Sequence, residues 1–223
     1  MEDYMVLANY AKSFPEATIK ADNSVLGANY GDINGEGRIT IVTEQPEIVL
    51  PFEDVVESAW YYEGVKFMYA NGLMNGVSKT EFAPMGKVTR AMMVTVLWRA
   101  AGCPEAKAAA TFTDVAADAW YAEAVAWAQE EGIVLGVTEE LFAPEKNVTR
   151  EQIATILWRA CGEEEVEIEL SFTDADTISA WAQNAMNWAV ANGIFQGDSK
   201  GNLNPTATAT RAQLAVIMAR FLG

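Results

Sequence analysis

The sequence predicts a mainly α protein. Three helix-loop-helix repeats form a pseudo-threefold bundle, behind a small N-terminal segment of helix or β-hairpin character. Three observations predict this: a self-similarity at a spacing of 60 residues, an apolar stripe of helical period in every copy, and matching helix-start and helix-stop residues. Repeats are sought first because missing one misreads the whole fold.

Phe52-Glu53-Asp54, Phe112-Thr113-Asp114 and Phe172-Thr173-Asp174 open the three copies. Trp60, Trp120 and Trp181 follow, and Phe67, Trp127 and Trp188 lie seven residues further on. Gly72, Gly132 and Gly193 come next, then Gly76, Gly136 and Gly197, then Pro84, Pro144 and Pro205, and last Thr89-Arg90, Thr149-Arg150 and Thr210-Arg211. The third copy carries one extra residue between Asp174 and Trp181. Six of the seven arginines occupy two repeated positions, Arg90/Arg150/Arg211 and Arg99/Arg159/Arg220, so the duplication is not a chance pattern. The module spans 51–223, with repeats at 52–103, 112–162 and 172–223, and residues 1–50 stand apart.

Each copy reads as two helices. Ser58, Asp118 and Ser179 are placed as N-caps of the first helix. Trp60, Gly64, Phe67 and Met68 fall at i, i+4, i+7 and i+8, one helical face. Gly72, Gly132 and Gly193 stand at the usual C′ position. A proline-containing loop leads to the second helix. Thr149 with Gln152 and Thr210 with Gln213 make capping boxes, whereas Met92 removes half of that box in the first copy. Met93/Val96/Leu97, Ile153/Ile156/Leu157 and Leu214/Ile217/Met218 form the apolar stripe of the second helix. One unit cannot bury that stripe alone; three can, with their second helices around a common axis.

Composition excludes several functions. The net charge of −16 argues against a nucleic-acid partner, because phosphate binding needs a basic footprint. The chain has no histidine, which removes histidine-based triads and the commonest zinc sites. No apolar run is long enough for a transmembrane segment. No catalytic constellation, cofactor motif or convincing metal site is present. Asp32–Gly37 starts like a calcium loop, but its twelfth position is Thr43, where a bidentate acid is required, so a hairpin turn is preferred. Tyr4–Lys12 has helix character, and Ala17–Lys20 and Arg38–Thr43 have strand character. Glu44–Leu50 and Glu163–Glu169 read as linkers. The offset register of Cys103 and Cys161 favours free thiols over a bridge. The start of the chain lacks signal-peptide features, so an export signal is expected upstream of it.

The Phe-x-Asp start, the aromatic first helix, the Gly-x-x-x-Gly pair, the Phe-x-Pro loop and the Thr-Arg helix start resemble the S-layer homology family over 52–223. The resemblance implies a secreted bacterial protein, a pseudo-trimeric module and a cell-wall location. It also implies binding of a secondary cell-wall polysaccharide, commonly pyruvylated, in grooves between repeats. The family's Thr-Arg-Ala-Glu motif maps onto Thr89–Met92, Thr149–Gln152 and Thr210–Gln213 without its Glu. The alternative is a protein-interaction or surface-assembly module that uses the same fold without sugar.

The residues that point to an acidic sugar are Arg90, Arg150 and Arg211, whose guanidinium forks match a carboxylate. They stand at helix starts, where free N–H groups would add to the attraction. Each Arg could equally pair with its own Asp54, Asp114 or Asp174. Trp60, Trp120 and Trp181 read as core ahead of sugar platforms. Gly76, Gly136 and Gly197 read as turn glycines or groove floors. Arg99, Arg159 and Arg220 are expected to satisfy carbonyls at helix C-termini. The intact capping boxes make Arg150 and Arg211 the expected main ligand contacts, with Arg90 secondary.

Overall fold

The computed structural model describes residues 48–223; the helix, strand and turn expectations for the first 47 residues lie outside the described residues. The three copies give six α-helices: α1 Tyr62–Ala70, α2 Arg90–Ala100, α3 Ala122–Glu130, α4 Arg150–Ala160, α5 Gln183–Ala191 and α6 Arg211–Leu222. Two short 3-10 turns, Ala175–Thr177 and Ala180–Ala182, take up the extra residue of the third copy. Among the described residues there is no strand.

The second helix of each copy begins where its sequence dictates. The hydroxyls of Thr89, Thr149 and Thr210 accept the N–H three residues on, and Gln152 and Gln213 return the bond to the cap N–H. Met92 makes no such return bond, so α2 has half a box. The first helices depart from expectation. They begin at Tyr62, Ala122 and Gln183, without a side-chain cap, and Ser58, Asp118 and Ser179 lie in the turns before them. Trp60, Trp120 and Trp181 are therefore outside the helices whose faces they were expected to share. The helix ends match: Gly72, Gly132 and Gly193 have φ of 68°, 68° and 70°, a conformation that costs glycine little.

Each first helix packs on the second helix of another copy: α3 on α2, α5 on α4, and α1 on α6. The first and last copies thereby close a ring. Gly64 lets α1 approach α6, since a Cβ there would lie 2.9 Å from a Val216 methyl. At the axis the closure is a cycle of three backbone hydrogen bonds. Val88 N–H donates to Ala209 O (3.1 Å), Ala209 N–H to Val148 O (3.0 Å) and Val148 N–H to Val88 O (2.9 Å). All three residues are fully buried, so these polar groups have only each other as partners. Around the axis Met93, Leu97, Ile153, Leu157, Leu214 and Met218 are also fully buried. Each such side chain contributes roughly 1.5–3 kcal/mol.

The linkers run along the surface and are pinned to it. The indole N–H of Trp98 donates to Pro104 O (2.9 Å) and that of Trp158 to Glu164 O (2.7 Å). Lys107 pairs with Glu130 at 2.7 Å. Both cysteines are free thiols, as their register suggests.

Candidate functional site: the inter-repeat grooves

The ring brings the arginine of one copy onto the loop of another. Arg211 Nε donates to Phe82 O (2.7 Å) and its Nη2 to Asn75 O (2.6 Å). Arg90 reaches Phe142 O (2.7 Å) and Leu135 O (3.3 Å), and Arg150 reaches Leu203 O (2.7 Å) and Gln196 O (3.3 Å). Each guanidinium also lies against an aromatic ring: Arg90 on Phe142 at 4.7 Å, Arg211 on Phe82 at 4.5 Å and Arg150 on Phe195 at 5.0 Å. The third copy has Leu203 where the others have Phe82 and Phe142. Its ring comes instead from Phe195, at the position of Met74 and Val134.

Pairing of each Arg with the Asp of its own copy does not occur. Asp54 accepts the N–H groups of Phe82 (2.8 Å) and Ala83 (2.7 Å). Asp114 does the same for Phe142 and Ala143, and Asp174 for Leu203 and Asn204. The three carboxylates hold a tight loop in which Ala83, Ala143 and Asn204 adopt φ of 56°, 57° and 53°. The peptide group linking Phe82 to Ala83 thus gives its N–H to Asp54 and its C=O to Arg211. Carboxylate and guanidinium come from different copies and communicate through that one peptide, because the copies are interlocked.

The free helix N–H groups expected beside each Arg are also occupied. Arg90 N–H donates to Lys146 O (3.0 Å) and Ala91 N–H to Pro144 O (3.0 Å), with the same pattern at Arg150/Glu151 and Arg211/Ala212. What remains for a ligand is the guanidinium itself. Among the described residues, Nη1 of Arg90, Arg150 and Arg211 has no hydrogen-bond partner. Burial lowers the pKa of all three below the ordinary arginine value, and Asp114, Asp174 with Asp198, and Asp54 oppose that shift. Arg220 adds to the lowering at Arg150. An arginine stays charged through such shifts.

Trp60, Trp120 and Trp181 are 64%, 60% and 55% exposed, which overturns the preference for core. Trp127 and Trp188 are core, and Phe67 is half-buried. Gly76, Gly136 and Gly197 are sites of close approach. A Cβ on Gly76 would lie 2.5 Å from the Phe52 ring, and one on Gly136 or Gly197 would lie 2.7 Å from Phe112 or Phe172. Arg99 donates to Leu73 O (3.2 Å), just beyond α1, rather than to its own helix end. Arg159 pairs with Glu163 at 3.7 Å.

One groove is a cavity of about 380 Å³ to which all three copies contribute. Asn75–Val77 form one wall, Met92, Thr95 and Arg99 of α2 another, Trp120 stands at its edge, and Arg211 closes it. Met92 therefore shares a groove with Arg211, not with Arg90. Sequence reasoning missed Thr95, and only its position one turn beyond Ala91 on the groove side of α2 could have signalled it. No acid or histidine cluster suited to a metal occurs among the described residues.

The described residues thus form a closed ring of helix-loop-helix units with arginine-lined grooves between copies. The S-layer homology domain pattern matches residues 51–92, 111–154 and 171–215, and the chain belongs to that family. It is 40% identical over 169 residues to a surface-layer 125 kDa protein of Lysinibacillus sphaericus, covering 74% of this chain and 14% of that protein. It is 32% identical over 184 residues to an endoglucanase of Bacillus sp. (strain KSM-635), covering 80% and 19%. It is 25% identical over 170 residues to the S-layer protein EA1 of Bacillus anthracis, covering 75% and 20%. The chain thus spans a fifth or less of the length of these relatives. No helix among the described residues is long and apolar enough to cross a membrane.

Proposed function

We propose that the chain holds its parent protein to the bacterial cell wall by binding an anionic secondary wall polysaccharide, pyruvylated, in the inter-repeat grooves. One observation carries this reading. In each groove a buried guanidinium is fixed by two loop carbonyls, which leaves Nη1 free to meet a carboxylate. The exposed indole of Trp120 at the edge of the cavity supplies a flat apolar face for sugar C–H groups, and Trp60 and Trp181 repeat it at the equivalent positions. The overall acidity of the chain does not oppose this, since the receptor is local and the guanidinium is already desolvated. The parent is exported and displayed at the cell surface.

The test is co-sedimentation of the chain with purified wall sacculi, before and after chemical removal of the polysaccharide. Binding that vanishes with the polysaccharide supports the reading. Binding that survives its removal refutes it in favour of a protein-assembly surface.

A further inference from the structure

The three grooves are equivalent in backbone but not in charge. In the groove of Asn75–Val77, α2, Trp120 and Arg211, none of the lining residues carries a carboxylate, and two carry guanidiniums. In the next groove the residues equivalent to this lining also lack a carboxylate, and the equivalent of buried Ala91, outside the lining, is Glu151. Its buried carboxylate accepts the N–H and hydroxyl of Ser179, both at 3.0 Å. There Arg159, the counterpart of Arg99, is already paired with Glu163, whereas the residue after α2 at that position is Cys103. In the third groove Asp198 stands where Val77 stands in the first. Asp198 is exposed and held ionised by the N–H groups of Lys200 and Asn202 and the Asn204 amide. Asp54, Asp114 and Asp174 lie behind the loop in all three grooves alike, so they do not discriminate.

A second observation singles out the same groove. Thr95 is 3% exposed, lines the cavity, and its hydroxyl has no hydrogen-bond partner. The equivalent Thr155 gives its hydroxyl to Glu151 O (2.9 Å), and the third equivalent is Val216. A buried hydroxyl left unsatisfied is costly, and a ligand or water group that reaches it regains that cost.

We infer that the groove formed by Asn75–Val77, α2, Trp120 and Arg211 is the principal receptor for the carboxylate-bearing sugar, and that Thr95 is its specificity residue. This rests on the polysaccharide reading above. The carboxylate sits on Arg211 Nη1 with Arg99 nearby, the sugar face lies on Trp120, and a rotation about Cα–Cβ turns the Thr95 hydroxyl to a sugar oxygen. Asp198 weakens the third groove for an anion by direct charge opposition, and Glu163 engages the Arg159 guanidinium in the second.

The experiment follows the indole N–H signals of Trp60, Trp120 and Trp181 in the full chain. A pyruvylated wall-polysaccharide fragment is titrated in, and then the same fragment with its pyruvate ketal hydrolysed. The Trp120 signal should move at the lowest fragment concentration, and the hydrolysed fragment should leave it in place. Thr95→Val should weaken that response about threefold to tenfold, the loss of one hydrogen bond. It should not lower the melting temperature, because it removes an unpartnered hydroxyl. Trp60 or Trp181 responding first, or all three together, overturns the inference while leaving the function standing. Unchanged affinity in Thr95→Val removes Thr95 from the site. No response of any indole to either fragment overturns the polysaccharide reading itself.

Discussion

Replacing Asp114 by Ala tests whether one carboxylate holds a loop and, through it, an arginine of another copy. The substitution removes the acceptor of two backbone N–H groups, at 2.8 and 2.7 Å, in a partly buried site. Hydrogen bonds to a charged group are worth about 1.5–3 kcal/mol each. The site is not sealed from water, so the lower end applies, and two bonds give about 3 kcal/mol. Ala143 does not add to the loss, since the cost of its φ of 57° is already carried by the parent. For a chain of this size about 3 kcal/mol corresponds to a fall of roughly 6–12 °C in melting temperature. Differential scanning calorimetry of the parent and of Asp114→Ala measures it directly. Asp174→Ala should fall less, because the Asn204 side chain also binds Asp198 and so supports its own loop. A fall of under about 3 °C for Asp114→Ala, or a larger fall for Asp174→Ala, would refute the loop-clamp reasoning.

Three further outcomes follow from the same geometry. Met92→Gln completes the capping box of α2 and should raise stability by about 0.5–1 kcal/mol, read from urea denaturation. Cys103 is exposed, whereas burial and Glu164 push the Cys161 thiol up to about 11, so a disulfide reagent at pH 8 should label Cys103 first. Equal rates would contradict the burial of Cys161. Backbone and side-chain N–H donors hold Asp198 down at about 2. A depressed carboxylate contributes stability that is full above its unfolded pKa, about 3.9, and is lost as pH falls towards the folded value. Asp198→Asn should therefore flatten part of the loss of thermal stability between pH 4 and pH 2, and an unchanged acid slope would show that the turn is held by other groups.

The sequence by itself determined what is set locally. The threonine caps, the two capping boxes and the glycine stops are fixed by residues within four positions of one another, and all stand where the repeat pattern puts them. The need for three copies was also legible, because the apolar stripe of one second helix has nothing within its own unit to cover it. Tertiary structure decided which copy meets which. Arg211 could be assigned to its own Asp174 by sequence because the three copies carry the same residues, and equivalent sequences leave the choice of partner open. Closure of the ring resolves it: α1 lies on α6, so Arg211 reaches the loop held by Asp54, and the helix-start N–H groups are taken by neighbouring carbonyls. The exposure of Trp60, Trp120 and Trp181 was decided the same way. Their periodicity fits a buried helix face, but the helices begin two residues later, and the rings are left at the surface. Interlocking of equivalent units through backbone hydrogen bonds leaves no trace in side-chain pattern, because the groups that make it are common to every residue.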